Sequence, residues 1–289
     1  MAVIDFWKKY RENIMKYVFL AAACVSILAV ALICIFLFGN GVPAIMEIGP
    51  VKFLFGLKWK PGNNIYGIFP MIVGSIYVTA GAILVGVPIG FLTAVFLAKF
   101  CPEKLYKIFK PMVDLLAGIP SVVYGFFGIV IIVPFVRDCI GGKGNSILTA
   151  SLLLGMMILP TIISVSEAAI RAVPESYYEG SLALGATHER SVFSAMLPAA
   201  KSGIMAGVIL GVGRAIGETM AVIMIAGNQP IMPRGLLEGL RTMTANVVLE
   251  MGYASGLHRR ALIATGVVLF VFILIINTCF SLLKRRDQR

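Results

Sequence analysis

Negative charge is scarce in this chain. Fourteen Asp and Glu stand against 25 Lys and Arg, charged residues fill only 13% of 289 positions, and 59% of the positions are hydrophobic. With a mean hydropathy of +0.93, the composition excludes a soluble globular domain and leaves a membrane protein. Histidine is nearly absent. His188 and His258 fall on opposite expected sides of the membrane, and no H-E-x-x-H or C-x-x-C occurs, so no metal site is expected. The five cysteines provide no external pair: Cys24, Cys34 and Cys279 lie in apolar runs, Cys101 faces inside and only Cys139 faces outside. They read as packing residues. There is no long basic or low-complexity tract, so the net charge of +11 implies no nucleic-acid partner. Nor is there a G-x-x-x-x-G-K-S/T loop to hold nucleotide phosphates.

What is abundant is apolar sequence in long runs. Crossing hydrocarbon takes about 20 mostly apolar residues, and six runs qualify: Tyr17 to Phe38, Phe69 to Ala98, Met112 to Phe135, Ser146 to Glu167, Ile204 to Gly227 and Ala261 to Leu283. The first is too long for a cleaved signal peptide and lacks a small-residue cleavage site, so it is expected to be retained. Short basic loops stay cytoplasmic. With an inside amino terminus, 15 Lys and Arg fall inside (residues 8, 9, 11, 16, 99, 104, 107, 110, 171, 190, 201, 284, 285, 286 and 289) and nine outside. Both termini are therefore expected in the cytoplasm.

The connecting loops are unequal. Gly39 to Ile68 reads as a long external loop, and residues 168–203 as a cytoplasmic loop too long for a simple turn. Pro174 suits a first helical position, and Gly185 suits a helix stop. Thr187 suits the cap of a second helix, "HERSVFSAML", ending before Pro198. A bent pair of short helices is expected beneath the membrane. Pro88, Pro120 and Pro160 fall inside the second, third and fourth runs, where a proline kinks a helix and frees a carbonyl. In "AGIPSVVYGFFG", Ala117 to Gly128, the break joins three glycines. Pro120, Ser121 and Tyr124 there read either as a packing kink or as a bend lining a transport route.

The fifth run carries charge. Gly203, Gly207, Gly211, Arg214 and Glu218 follow at steps of four, four, three and four, so a continuous helix would place them on one face against another helix. Arg214 would lie roughly 15 Å along that helix, near the bilayer midplane. Such a charge costs about 2.5–3.5 kcal/mol on insertion scales, and it marks either an ion pair fixing helix register or a group on a substrate pathway. Glu238, Glu250, Asn228 and Gln229 read as an ordinary solvated loop more readily than as an external mouth.

Two resemblances follow from these stretches. "EGSLALGATHERSVFSAMLP", Glu179 to Pro198, resembles the EAA loop of ABC importer permeases, with Glu179, Gly185, Leu197 and Pro198 at that family's spacing. Gly180 and Ser181 stand where two alanines are usual, and Ala195 replaces an isoleucine. "IPSVVYGFFG", "RAVPESYYEGSLALGAT", "GRAIGETMAV" and "TMTANVVLEMG" are similar to the PstC-type permease subunits of bacterial phosphate ABC importers, as is "NNIYGIFP".

The resemblance implies an all-α, six-span type I (MetI-like) permease core over residues 69–289, preceded by a cytoplasmic segment, first helix and loop over residues 1–68. It implies a PstA-type second permease, two PstB-type ATPases that bind the ATP and magnesium, and an external PstS-type phosphate-binding protein, all in or at a bacterial inner membrane. No cofactor is expected in this chain, and it is not expected to be an enzyme. Arg214 would meet a dehydrated phosphate oxyanion while Glu218 competes for it. A permease for sulfate or molybdate is the alternative, followed by an ATP-independent channel or secondary transporter and by a purely structural membrane subunit.

Overall fold

The computed structural model describes the backbone of residues 2–286, with the side chains of all of these except 2–11, 13, 280 and 283–286. Six helices among the described residues are long and apolar enough to cross a membrane: Ile14–Ile48, Phe69–Phe100, Ser121–Cys139, Ile147–Arg171, His188–Gly217 and Gly256–Cys279. Each expected run therefore has its helix, although the bounds differ. The charges at Lys8, Lys9, Arg11, Lys284, Arg285, Arg286 and Arg289, on which inside termini were argued, lie outside the described side chains.

In chain order, α1 (Ala2–Ile48) continues past Phe38 into the first ten residues of the expected external loop. Packing accounts for the extension, because a Cβ on Gly41 would lie 2.5 Å from Val267 Cγ2, so α1 is held close against the last helix. A short α2 (Pro50–Phe55) follows, then a two-stranded antiparallel hairpin of β1 (Trp59–Lys60) and β2 (Ile65–Tyr66). The second span is α3 (Phe69–Val95), extended by a π-helical turn, Phe96–Phe100.

Before the third span an amphipathic α4 (Glu103–Gly118) ends at Ile119, whose extended backbone precedes Pro120; the span itself is α5 (Ser121–Phe127), a π turn (Gly128–Ile132) and α6 (Val133–Cys139). Pro120 thus stands between helices rather than inside one, as the steric bar on α conformation before proline requires. Pro88 and Pro160 do sit within helices.

The fourth span, α7 (Ile147–Arg171), lies at the centre of the molecule, packed by α3 on one side. Glycine permits the approach: a Cβ on Gly86 or Gly90 would lie 2.7 or 2.9 Å from Ile158 or Ile162. After α7 come α8 (Glu175–Ala183) and α9 (His188–Ser191). Gly185 between them has φ +83°, and the Thr187 hydroxyl caps α9 by accepting from Arg190 N–H, as the spacing predicts.

The second short helix does not end before Pro198. It passes through a π turn, Val192–Met196, directly into α10 (Leu197–Gly217), and Leu197 N–H bonds five residues back to Val192 O. That shift of register carries the helix past a proline that has no amide to donate. Last come α11 (Met220–Ile225), α12 (Met243–Met251) and α13 (Gly256–Arg286). One apolar cluster joins Ala44, Phe53, Trp59 and Tyr66 to Met243, Ala261 and Leu262, so the hairpin rests on the final span.

Candidate functional site

The glycine stripe of α10 packs as its spacing predicts. A Cβ on Gly203 would meet Ala169 Cβ, on Gly207 would lie 3.0 Å from Ser166 Oγ, and on Gly211 2.8 Å from Ile162 Cγ1, all on α7. Arg214 continues that face and donates from NH1 to Thr161 Oγ1, again on α7, at 3.2 Å. Glu218 does not continue it. The helix ends at Gly217, Glu218 is extended (φ −68°, ψ 128°), and its Oε1 accepts from Thr219 N–H at 3.1 Å and Ala221 N–H at 3.2 Å. A helix rich in glycine is weak at its end, and a carboxylate that satisfies the first amides of α11 favours the break. No ion pair joins Arg214 to Glu218 among the described residues.

Two helix breaks meet near Arg214. A Cβ on Gly125 of α5 would lie 3.1 Å from Ala221 Cα, which places the Pro120 break against the Glu218 break. The buried Tyr124 donates its hydroxyl to Leu116 O at 2.9 Å, satisfying a carbonyl freed by the break, and lies within electrostatic range of Arg214. Ser121 opens α5, and Pro120 is exposed. A Cβ on Gly118, Gly213 or Gly217 would touch nothing within 4 Å, so the space around the two breaks is open in this chain.

From Thr161 a polar face descends α7 toward residues 168–203, through Ser164 and Glu167 to Arg171. Glu167 is buried, and its carboxylate accepts from Tyr106 at 2.7 Å, Arg171 at 2.8 Å and Lys110 at 3.1 Å. Arg171 also donates to Leu97 O and stacks its guanidinium over the Tyr106 ring. Burial pulls the Lys110 ammonium pKa down, but hydrogen bonds to Glu167 and Asp114 outweigh it and hold the value above the ordinary one. The Tyr106 hydroxyl is raised, chiefly by its bond to Glu167. The sequence reading missed Lys110, Asp114, Thr161 and Ser164. Glu167 and Arg171, four apart at the end of an apolar run, offered a signal.

The coupling residues separate into two groups. Glu179, Gly180 and Ser181 lie on α8, which buries no side chain, whereas Leu197 is buried among Val95, Ile170, Val192 and Met196, with Pro198 exposed beside it. α8 is tied to the π turn after α3 through Lys99, 3.0 Å from Glu175, and to α9 through Tyr178 Oη and His188 Nδ1, 2.7 Å apart.

On the opposite face Glu250 corrects the solvated-loop reading. It is buried and meets Arg241 NH1 at 2.6 Å, Trp59 Nε1 at 2.9 Å and His258 Nε2 at 2.8 Å, which pins the hairpin to α12 and α13. Glu238 Oε2, by contrast, accepts from the exposed Arg234 backbone. Of the polar pair beside it, Asn228 donates to Ile223 O and its own carbonyl accepts from Arg241.

Residues 86–287 match the family model described as a binding-protein-dependent transport system inner membrane component. The chain is 38% identical over 268 residues to the probable ABC transporter permease protein YqgH of Bacillus subtilis, covering 89% of this chain and 87% of that relative. It is 32% identical over 291 residues to the phosphate transport system permease protein PstC of Mesorhizobium japonicum, covering 93% and 89%. In fold it is similar to a chain of a bacterial alginate ABC transporter solved with an alginate-bound periplasmic protein (TM-score 0.63, 16% identity, 97% of each chain). It is also similar to a chain of the inward-facing MetNI methionine ABC transporter (TM-score 0.61, 19% identity, 80% of this chain and all of that one).

Proposed function

Since this chain belongs to the family of binding-protein-dependent transport system inner membrane components, and is the multi-pass permease subunit of an ABC importer, we infer that its cargo is inorganic phosphate. The PstC relatives support this cargo. Arg214 is the observation that carries the reading. A guanidinium in a membrane span, hydrogen-bonded to a neutral hydroxyl and bordered by open space, is a seat for an oxyanion. An ordinary structural arginine would be matched by a carboxylate instead.

In the proposed cycle a PstS-type protein delivers phosphate from outside and a PstA-type permease supplies the facing wall. Two PstB-type ATPases move α8, and both termini lie in the cytoplasm with them. Such coupling is a free-energy difference between two conformations that different ligands favour. Arg214 accepts the dehydrated anion. Glu218 Oε1 is held by the Thr219 and Ala221 amides at the start of α11, so a shift of α11 re-aims the carboxylate and changes its competition for Arg214. Import of another oxyanion, sulfate or molybdate, is the second reading, because the name of the YqgH relative specifies no cargo.

The test is radiolabelled phosphate uptake by vesicles holding the assembled importer and its binding protein, with and without internal ATP, for the native chain and Arg214→Gln. The expected result is ATP-dependent uptake, resistant to sulfate and lost in the variant with assembly intact. Native uptake in the variant overturns the role of Arg214, and ATP-driven uptake of sulfate in place of phosphate overturns the cargo.

A further inference from the structure

Arg214 and Lys110 come from different helices to the same face of α7. Arg214 donates to Thr161 Oγ1 at 3.2 Å, and Lys110 Nζ donates to Ser164 Oγ at 3.2 Å. Thr161 and Ser164 are three residues apart, so they share a helix face and are offset by roughly 4.5 Å along the axis. The second cation therefore stands about one turn nearer the 168–203 segment than the first.

The counter-ions of Lys110 are unequal. Glu167, 3.1 Å away, is buried and already carries Arg171 and Tyr106, so its charge is matched without Lys110. Asp114, 3.2 Å away, has a side chain 54% exposed, against 24% for Lys110. An exposed carboxylate is a screened and weak partner. An incoming oxyanion can take its place without stranding a buried charge. Beyond Asp114 lies Gly118, where a Cβ would meet nothing, as is also true of Gly213 and Gly217 on α10.

We propose that Lys110 is a second substrate-contacting cation, which receives a dianionic oxyanion from Arg214 on the side toward the coupling helices, with Asp114 as the counter-ion the anion displaces. This rests on the oxyanion reading of Arg214. No bond is made or broken: the anion exchanges one guanidinium contact for one ammonium contact, and Asp114 returns to Lys110 once the anion has left.

The experiment uses the assembled importer with Lys110→Gln and Lys110→Arg, assayed separately with phosphate and sulfate. Maximal uptake in Lys110→Gln should fall at least about tenfold, as expected when a charge-assisted contact is lost. The half-saturating concentration should stay unchanged because capture occurs at the binding protein. Lys110→Arg should retain most of the rate, and ATPase recovery on purification should be unaltered.

A structural tie between α4 and α7 would not follow the charge of the cargo. Between about pH 5.5 and about pH 8, a range that spans the second ionisation of inorganic phosphate, the Lys110→Gln deficit should deepen as the dianion becomes the cargo. Native-rate uptake in Lys110→Gln, or a phosphate deficit equal at both pH values, overturns the proposal. Sulfate uptake by the native importer in place of phosphate, lost in Lys110→Gln and kept in Lys110→Arg, overturns the phosphate reading and leaves the role of Lys110 standing. Transport of neither anion overturns both.

Discussion

An arginine has five donors in a rigid fork, and the described side-chain bond of Arg214 uses one of them, on Thr161. That bond sets where the fork points. Thr161→Val keeps the shape and removes the acceptor, at a cost of about 1.5–3 kcal/mol for a hydrogen bond to a charged group. Uptake should fall by roughly tenfold while the ATPase still co-purifies; native uptake would show that Thr161 does not position the charge. Arg214 stood out in the sequence because a lone cation is conspicuous among apolar neighbours. Its surroundings did not. Thr161 lies 53 positions away, and the partners of Lys110 lie up to 57 positions away, so only the packing of α4 and α10 on α7 brings them together.

Helices one by one were easier to read than their ends. All six apolar runs form helices, and the 168–203 segment folds into the expected pair, because length, hydropathy and capping act locally. The errors arose where a local rule met a tertiary one. Pro198 looked like a stop but is bridged by a π turn, and Gly217 to Thr219 looked continuous but is broken by a carboxylate cap. The glycines of α10 differ in the same way. Gly211→Ala would put a Cβ 2.8 Å from Ile162 Cγ1, and overpacking of this kind costs about 1–3 kcal/mol. At Gly213 a Cβ meets nothing, and alanine should add about 0.5–1 kcal/mol of helix stability. Thermal unfolding of the purified chain in detergent should therefore move down for the first variant and not for the second. The hairpin offers a third test at this scale. Glu250→Ala strands the Arg241 charge in a buried setting, which costs about 3–5 kcal/mol, and it should release Trp59, seen as a changed tryptophan emission and a lower unfolding temperature.

For the whole molecule, apolar surface divides according to what can cover it. The outward residues of the spans face the membrane, where hydrocarbon alone would satisfy them. α8 has no such recourse. It lies beyond the end of α7, buries no side chain and presents Tyr177 and Leu182, with Leu184 91% exposed just past its end. Water is a poor neighbour for that set, and an importer of this class needs an ATPase to grip the permease on one face. A large apolar side chain that touches little of its own chain contributes little to the fold. Leu184→Glu should therefore leave the unfolding temperature nearly unchanged, since such surface substitutions usually stay within about 0.5 kcal/mol. It should nonetheless prevent the ATPase from co-purifying, because it sets a charge in the centre of an apolar contact. Retained ATPase with full uptake would mean that α8 docks through its polar residues, Glu179 among them, and that Leu184 lies outside the interface. A variant that lost the fold as well would show that Leu184 supports its own chain.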